Sequence, residues 1–206
     1  MGLKDLSVED FVQALSSKEP TPGGGSAAAS TGAMGVGLLL MTAKFLEESP
    51  TVLSFIADLE VQKKHLIHLI DEDAKSFNGY MDAIHLPKTN DEEKAFRSRK
   101  MQEALQYAAT IPYQTILACA KCIPIMEYLE KEVKKNMISD LGSGAAMLES
   151  AIHCAFLNVL INVSSLKDKQ KADELLQETI QIREGAVKIF TKVFQRVEAL
   201  LASPNA

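Results

Sequence analysis

Tryptophan is absent from the 206-residue chain, aromatic residues make up only 6% of it, and there are only three cysteines. An odd, small number of cysteines cannot form a complete disulfide framework, so the core must be held by packing. It also fits reducing, cytoplasmic surroundings. A basic excess is missing as well: 22 Lys and Arg stand against 27 Asp and Glu, a formal charge of −5. That balance argues against broad nucleic-acid binding, which needs a surface that neutralises phosphate, although a local basic patch is still allowed. The opening MGLKDLSVED is polar and has no basic region leading into an apolar run, so no secretory signal is expected. At 47% hydrophobic, the composition excludes wholesale disorder, and the length suits one domain spanning 1–206 with a sizeable core.

Strand-like alternation is also lacking, and helical spacing is present nearly throughout. Ser7 precedes Glu9 and Asp10 as an N-cap would, with Val8, Phe11 and Leu15 on one face. Glu19-Pro20-Thr21-Pro22-Gly23-Gly24-Gly25 breaks the pattern, because proline removes donors and glycine permits unusual angles. A helix of small residues is expected from about Ser26 to Glu47. Residues 20–43 carry no charge but are dominated by Ala, Gly, Ser and Thr, too weakly apolar for a lipid-spanning helix. Their spacing (Ala28 with Gly32, Ala29 with Ala33) suits close helix packing instead. A long helix is predicted from Val52 to Ile84, and another helical region from Asp91 to Lys135, kinked or split at Pro112 and Pro124. Residues 136–144 read as a turn-rich connection. A buried helix follows from Ala145 to Leu166 with Glu149 its one charge, then an amphipathic helix ending near Leu201. The predicted fold class is all-α, a single-domain bundle of about seven helices.

The long helix holds an acid where the core should be. Leu66, Ile70, Phe77, Tyr80 and Ile84 form a seam, and the position that completes it is Asp73. At about 100° per residue, Asp73 falls within roughly 20° of the stripe's centre, whereas Asp71 and Glu72 fall about 140° and 120° away. A carboxylate on a packing face is costly unless paired, hydrogen-bonded or neutralised. Desolvation raises its pKa toward the range a general acid or base uses. The structural alternative is a buried Asp that pairs with a lysine or caps a neighbouring helix.

Other constellations are weaker. Gly23-Gly24-Gly25-Ser26 before a helix could present N–H groups to an anion or a polar ligand edge, but lacks the Gly-Lys-Ser/Thr ending of a P-loop. Three glycines in a row suggest close approach to the backbone. Cys119 and Cys122 form a CxxC without redox-fold context. His65, His68 and Asp71 form a row that could bind zinc, but a solvated face is the simpler reading. His153 sits four residues after Glu149, so an internal hydrogen bond is expected. Asn158 and Asn162 are expected to satisfy neighbouring backbone or each other. Lys63, Lys64, Lys131, Lys134 and Lys135 read as ordinary solvated charge.

Several stretches taken together resemble a known family: FVQAL near the start, PTPGGGSAAA at 20–29, DEDAKSF at 71–77, AIHLPKTNDEEKAFR at 83–97, and ISDLGSGAAML to NVLIN across 138–162. In this order, over nearly the whole chain, they are similar to the cyclodeaminase domain of formiminotransferase-cyclodeaminase and its stand-alone cyclodeaminase/cyclohydrolase relatives. The resemblance implies an all-helical homodimer whose partner molecule is a tetrahydrofolate one-carbon derivative; charge and composition lead us to expect neither nucleic acid nor membrane as a partner. It implies conversion of 5-formiminotetrahydrofolate to 5,10-methenyltetrahydrofolate and ammonia, or cyclohydrolase action on the methenyl compound. A folate- or partner-binding dimer without turnover is the alternative of another class. The resemblance places the catalytic acid at Asp73. Gly23, Gly24, Gly25 and Ser26 would line the pterin side, Lys88 and Asp140 would orient substrate or tune Asp73, and basic side chains would meet the glutamate tail. No metal or redox cofactor is expected.

Overall fold

The computed structural model describes residues 2–46 and 49–202. Among them are seven α-helices and no strand: α1 (Val8–Leu15), α2 (Gly24–Lys44), α3 (Pro50–His85), α4 (Asp91–Ala120), α5 (Ile123–Glu132), α6 (Ile138–Ser164) and α7 (Lys169–Ala202). Short 3₁₀ turns cover Leu3–Asp5 and Lys135–Met137. The expected end of the second helix, Glu47, lies outside the described residues.

Local chemistry starts these helices where it should. The Ser7 hydroxyl accepts the Asp10 N–H at 3.0 Å, and Ser49 accepts from Val52 just ahead of Pro50 at the first helical position. Asn90 accepts the Glu93 N–H at 2.8 Å while the Glu93 carboxylate takes the Thr89 N–H at 2.7 Å. Three acids in that first turn complement the helix dipole.

Helices α2, α3, α4 and α6 pack in a ring, each against its neighbours, with α7 laid on α6 and α4. The crossing of α2 and α6 is the tightest. An added Cβ at Gly35 would come within 3.1 Å of the Gly144 carbonyl, and one at Gly144 within 3.2 Å of the Gly35 carbonyl. Only hydrogen fits on both sides there. Gly142 is likewise filled against by Val197, and Gly32 by Cys119 and Leu66. This corrects the expectation of a turn over 136–144: α6 begins at Ile138, and the glycines that read as turn residues are contact points between helices. By length and composition α2 and α6 could each cross a membrane, yet more than half of the apolar stretch of α2 is buried within the fold.

The two internal prolines behave differently. Pro124 falls in the first turn of α5, so the helical region splits before it. Pro112 lies inside α4, which continues through it. Proline lacks the N–H that would bond to the carbonyl four residues earlier, so Ala108 loses its helical donor.

Candidate functional site

Asp73 points from α3 toward the first turn of α2. One oxygen, Oδ2, accepts the Ser26 N–H at 2.7 Å and lies 2.9 Å from the Ser26 hydroxyl. Gly23 is the N-cap of α2 and Gly24 and Gly25 open its first turn. A Cβ on Gly25 would collide with the Asp73 carboxylate, where even the farther oxygen would be 2.8 Å away. The need for glycine at position 25 is therefore space. No described glycine has positive φ, so the unusual angles expected of the triplet are not used. The Gly24 and Gly25 N–H groups belong to the first helical turn, where no intrahelical carbonyl can reach them.

Among the described residues no cation sits on Asp73. Burial pushes its carboxyl up from the ordinary 3.8, and the Ser26 hydroxyl and N–H pull it only part of the way back. The Ser26 hydroxyl also lies 3.0 Å from the Ile70 carbonyl. Its single hydrogen can face the ionised carboxylate, or turn to Ile70 while a protonated Asp73 donates to the serine oxygen. Both protonation states of Asp73 thus find a partner without moving the backbone.

Beside this pair lies a cleft of about 330 Å³, within the usual range for small-molecule sites. Pro20, Thr21, Gly23 and Gly24 form one wall, and Asp73, Ser76, Phe77 and Tyr80 another. Leu105 and Ala108 of α4 and Asn158, Ile161 and Asn162 of α6 complete it. Phe77, which the seam assigned to packing, is 36% exposed and faces this opening. Among the described residues Asp73 is the one charged residue of the lining, and no lysine or arginine stands there for a glutamate tail.

The other sequence candidates lie elsewhere. Lys88 is exposed beyond the end of α3, whose last residue is about 18 Å along the axis from Asp73. Asp140 is in the first turn of α6, roughly 27 Å from Asn158. Neither borders the cleft, so within one subunit they do not tune Asp73. Asp71 and Glu72 are more enclosed than their outward angle implied. Asp71 takes the Lys4 N–H and ammonium, each at 3.1 Å, and pins the N-terminal 3₁₀ turn to α3. Glu72 pairs with Lys75 and accepts from the Tyr107 hydroxyl. Burial pushes the Cys119 thiol well up and the Cys122 thiol to about 12, so both are inert packing groups. Among the described residues no group of three or more His, Cys, Asp and Glu is arranged to hold a metal ion. Glu149 accepts from Thr191 and His153 meets Arg183; Glu149 and His153 also lie 3.9 Å apart as an i,i+4 pair, too long for the hydrogen bond expected between them.

Sequence reasoning missed the asparagines as cleft residues. Both do bond backbone, as expected: Asn158 donates to the Cys154 carbonyl and Asn162 to that of Ala108, each at 2.9 Å. The signal available was two amides four apart on a helix with one charge.

An all-helical ring with a lone, partly buried carboxyl at a small-molecule cleft defines a candidate acid/base enzyme. The chain belongs to the formiminotransferase-cyclodeaminase family, whose model matches residues 7–181. It is 32% identical to a methenyltetrahydrofolate cyclohydrolase of Methylorubrum extorquens, covering 94% of this chain and 96% of that one. It is 30% identical to the formimidoyltransferase-cyclodeaminase of Gallus gallus, over 90% of this chain but only 36% of the larger protein. A crystal structure of formiminotetrahydrofolate cyclodeaminase from Thermotoga maritima superposes with a TM-score of 0.80 at 25% identity, covering 95% of this chain and 98% of that one. These named relatives are folate-processing enzymes.

Proposed function

We propose that the protein is a formiminotetrahydrofolate cyclodeaminase, with Asp73 as its general acid and base. The observation that carries this reading is a half-enclosed carboxyl, raised by burial, held by Ser26 at the mouth of a cleft large enough for a pterin. The formimino group on N5 enters protonated, as an amidinium. N10 attacks its carbon, a C–N bond closes the five-membered ring, and the Asp73 carboxylate takes the N10 proton. The protonated Asp73 then returns that proton to the exocyclic nitrogen, the C–N bond to it breaks, and ammonia leaves. One carboxyl serves both steps because its pKa lies nearer neutrality. No atom changes oxidation state, so no redox cofactor enters the scheme. The Gly24 N–H, on the cleft wall, faces an acceptor atom of the pterin, whereas Gly25, expected there from the sequence, packs against Asp73 and does not line the cleft.

Hydrolysis of the methenyl compound is the second reading. It is favoured by the end-to-end match to the Methylorubrum cyclohydrolase. Water would replace N10 as the group that Asp73 deprotonates. A homodimer is part of either reading: Met34 and Met41 on α2 and Leu157 and Ile161 on α6 are exposed on adjacent helices, and a second copy would cover them.

The test follows methenyltetrahydrofolate by absorbance, with formimino and methenyl substrates assayed in parallel. The cyclodeaminase reading expects the absorbance to rise with the first substrate. A protein that only consumes methenyltetrahydrofolate is the cyclohydrolase, and one that turns over neither is a binding protein.

A further inference from the structure

The carbonyl that Pro112 orphans fixes how the cleft presents itself. Ala108 lies four residues before Pro112, so its carbonyl has no helical N–H, and it lines the cleft with Asn162. Asn162 supplies the missing donor from α6 at 2.9 Å. A carbonyl can only accept, so the amide nitrogen of Asn162 must face Ala108. Asn158 is oriented by the same logic through the Cys154 carbonyl. Each asparagine thus has its nitrogen committed to backbone, and among the described residues no protein donor occupies either side-chain oxygen. The two oriented acceptors border the same cleft as Gly24, whose N–H is in the first turn of α2.

We propose that Asn158 and Asn162 are the residues that recognise the pterin, their amide oxygens accepting from its donor edge, the 2-amino group and N3–H. This rests on the folate reading above and specifies what that site selects. Acceptors on α6 and donors on α2 match a ring that carries both kinds of group on one edge. A ring without those two donors would leave the oxygens dehydrated and unpaired, which is how such a site discriminates.

Equilibrium binding of tetrahydrofolate, with thermal melts of each variant, tests the assignment. Asn158→Ala is expected to melt like the wild type, because Cys154 keeps its main-chain donor, and to bind about tenfold more weakly. Asn162→Ala alone removes both an acceptor and the donor to Ala108, so it melts earlier. Adding Pro112→Ala returns an N–H to the Ala108 carbonyl. The double variant is expected to recover its melting temperature but to stay about tenfold weaker in binding. A purely structural asparagine would instead be rescued in both measurements. Wild-type affinity in Asn158→Ala, or in the double variant, overturns the assignment for that residue and leaves the folate reading standing. Failure of the wild type to bind tetrahydrofolate overturns the folate reading, and this inference with it.

Discussion

Asp71 and Asp73 stand two residues apart on one helix and live in opposite electrostatic worlds. Both are partly buried, and burial alone would raise both. At Asp71 the Lys4 N–H, the Lys4 ammonium and the Leu3 N–H outweigh that effect and hold the carboxyl below the ordinary 3.8. At Asp73 the donors are the neutral hydroxyl and N–H of one serine, and burial wins. The difference teaches that a buried acid becomes chemically useful when its partners hydrogen-bond it without neutralising it. A cation on Asp73 would stabilise the carboxylate and remove the proton that the proposed mechanism has it give back.

The strongest way to break this comparison is Asp73→Asn. The amide can still accept from Ser26, so the fold is expected to persist, while turnover of the formimino substrate falls by roughly 10²–10⁴-fold. A variant that folds normally and keeps full activity removes Asp73 from the mechanism. Next in size is Gly25→Ala. The new Cβ overlaps the carboxylate, so either Asp73 leaves Ser26 or α2 retreats. A stability loss of about 1–3 kcal/mol, read in a denaturant melt, should accompany a large drop in activity. Unchanged stability would mean that the first turn of α2 is looser than it looks. Ser26→Ala is gentler. It removes one bond to the ionised form and keeps the main-chain one, so the Asp73 pKa rises further and the acidic limb of the pH–rate profile moves to higher pH.

The same contrast explains how much could be read from the sequence. The helices were legible because caps and periodicity are local: Ser7, Asn90 and the proline after Ser49 act within their own turn. Asp73 was legible because its seam is a property of one helix. The stretch over 136–144 was misread because a glycine's use is decided by what passes it, and Gly144 meets Gly35 more than a hundred residues away. Pro112 does not split its helix, and the donor that replaces its lost N–H, Asn162, lies fifty residues further on, out of reach of any local reading. Lys88 and Asp140 were placed at the site by resemblance alone, and nothing local could say that their turns lie at the far ends of α3 and α6.

The smallest expected effect sharpens the comparison by its sign. Asp71→Asn should leave catalysis unchanged, because Asp71 ties down the 3₁₀ turn and borders no part of the cleft. Its ion pair with a partly exposed lysine contributes about 1 kcal/mol. Since the folded pKa of Asp71 is lowered, that contribution is fully present above the unfolded value of 3.8 and is lost as pH falls through the folded value. Asp73 runs the other way. Its folded pKa is raised, so the folded state holds the proton more tightly than the unfolded chain, and stability declines as pH rises from 3.8 through the raised value. Melting curves across pH therefore separate the two carboxyls. Relative to the wild type, Asp71→Asn should lose stability at neutral pH and converge with it in acid. Asp73→Asn should match it in acid and become the more stable protein as pH climbs. Parallel curves for the two variants would mean that both acids share one environment, and the assignment of the acid/base role to Asp73 would lose its physical basis.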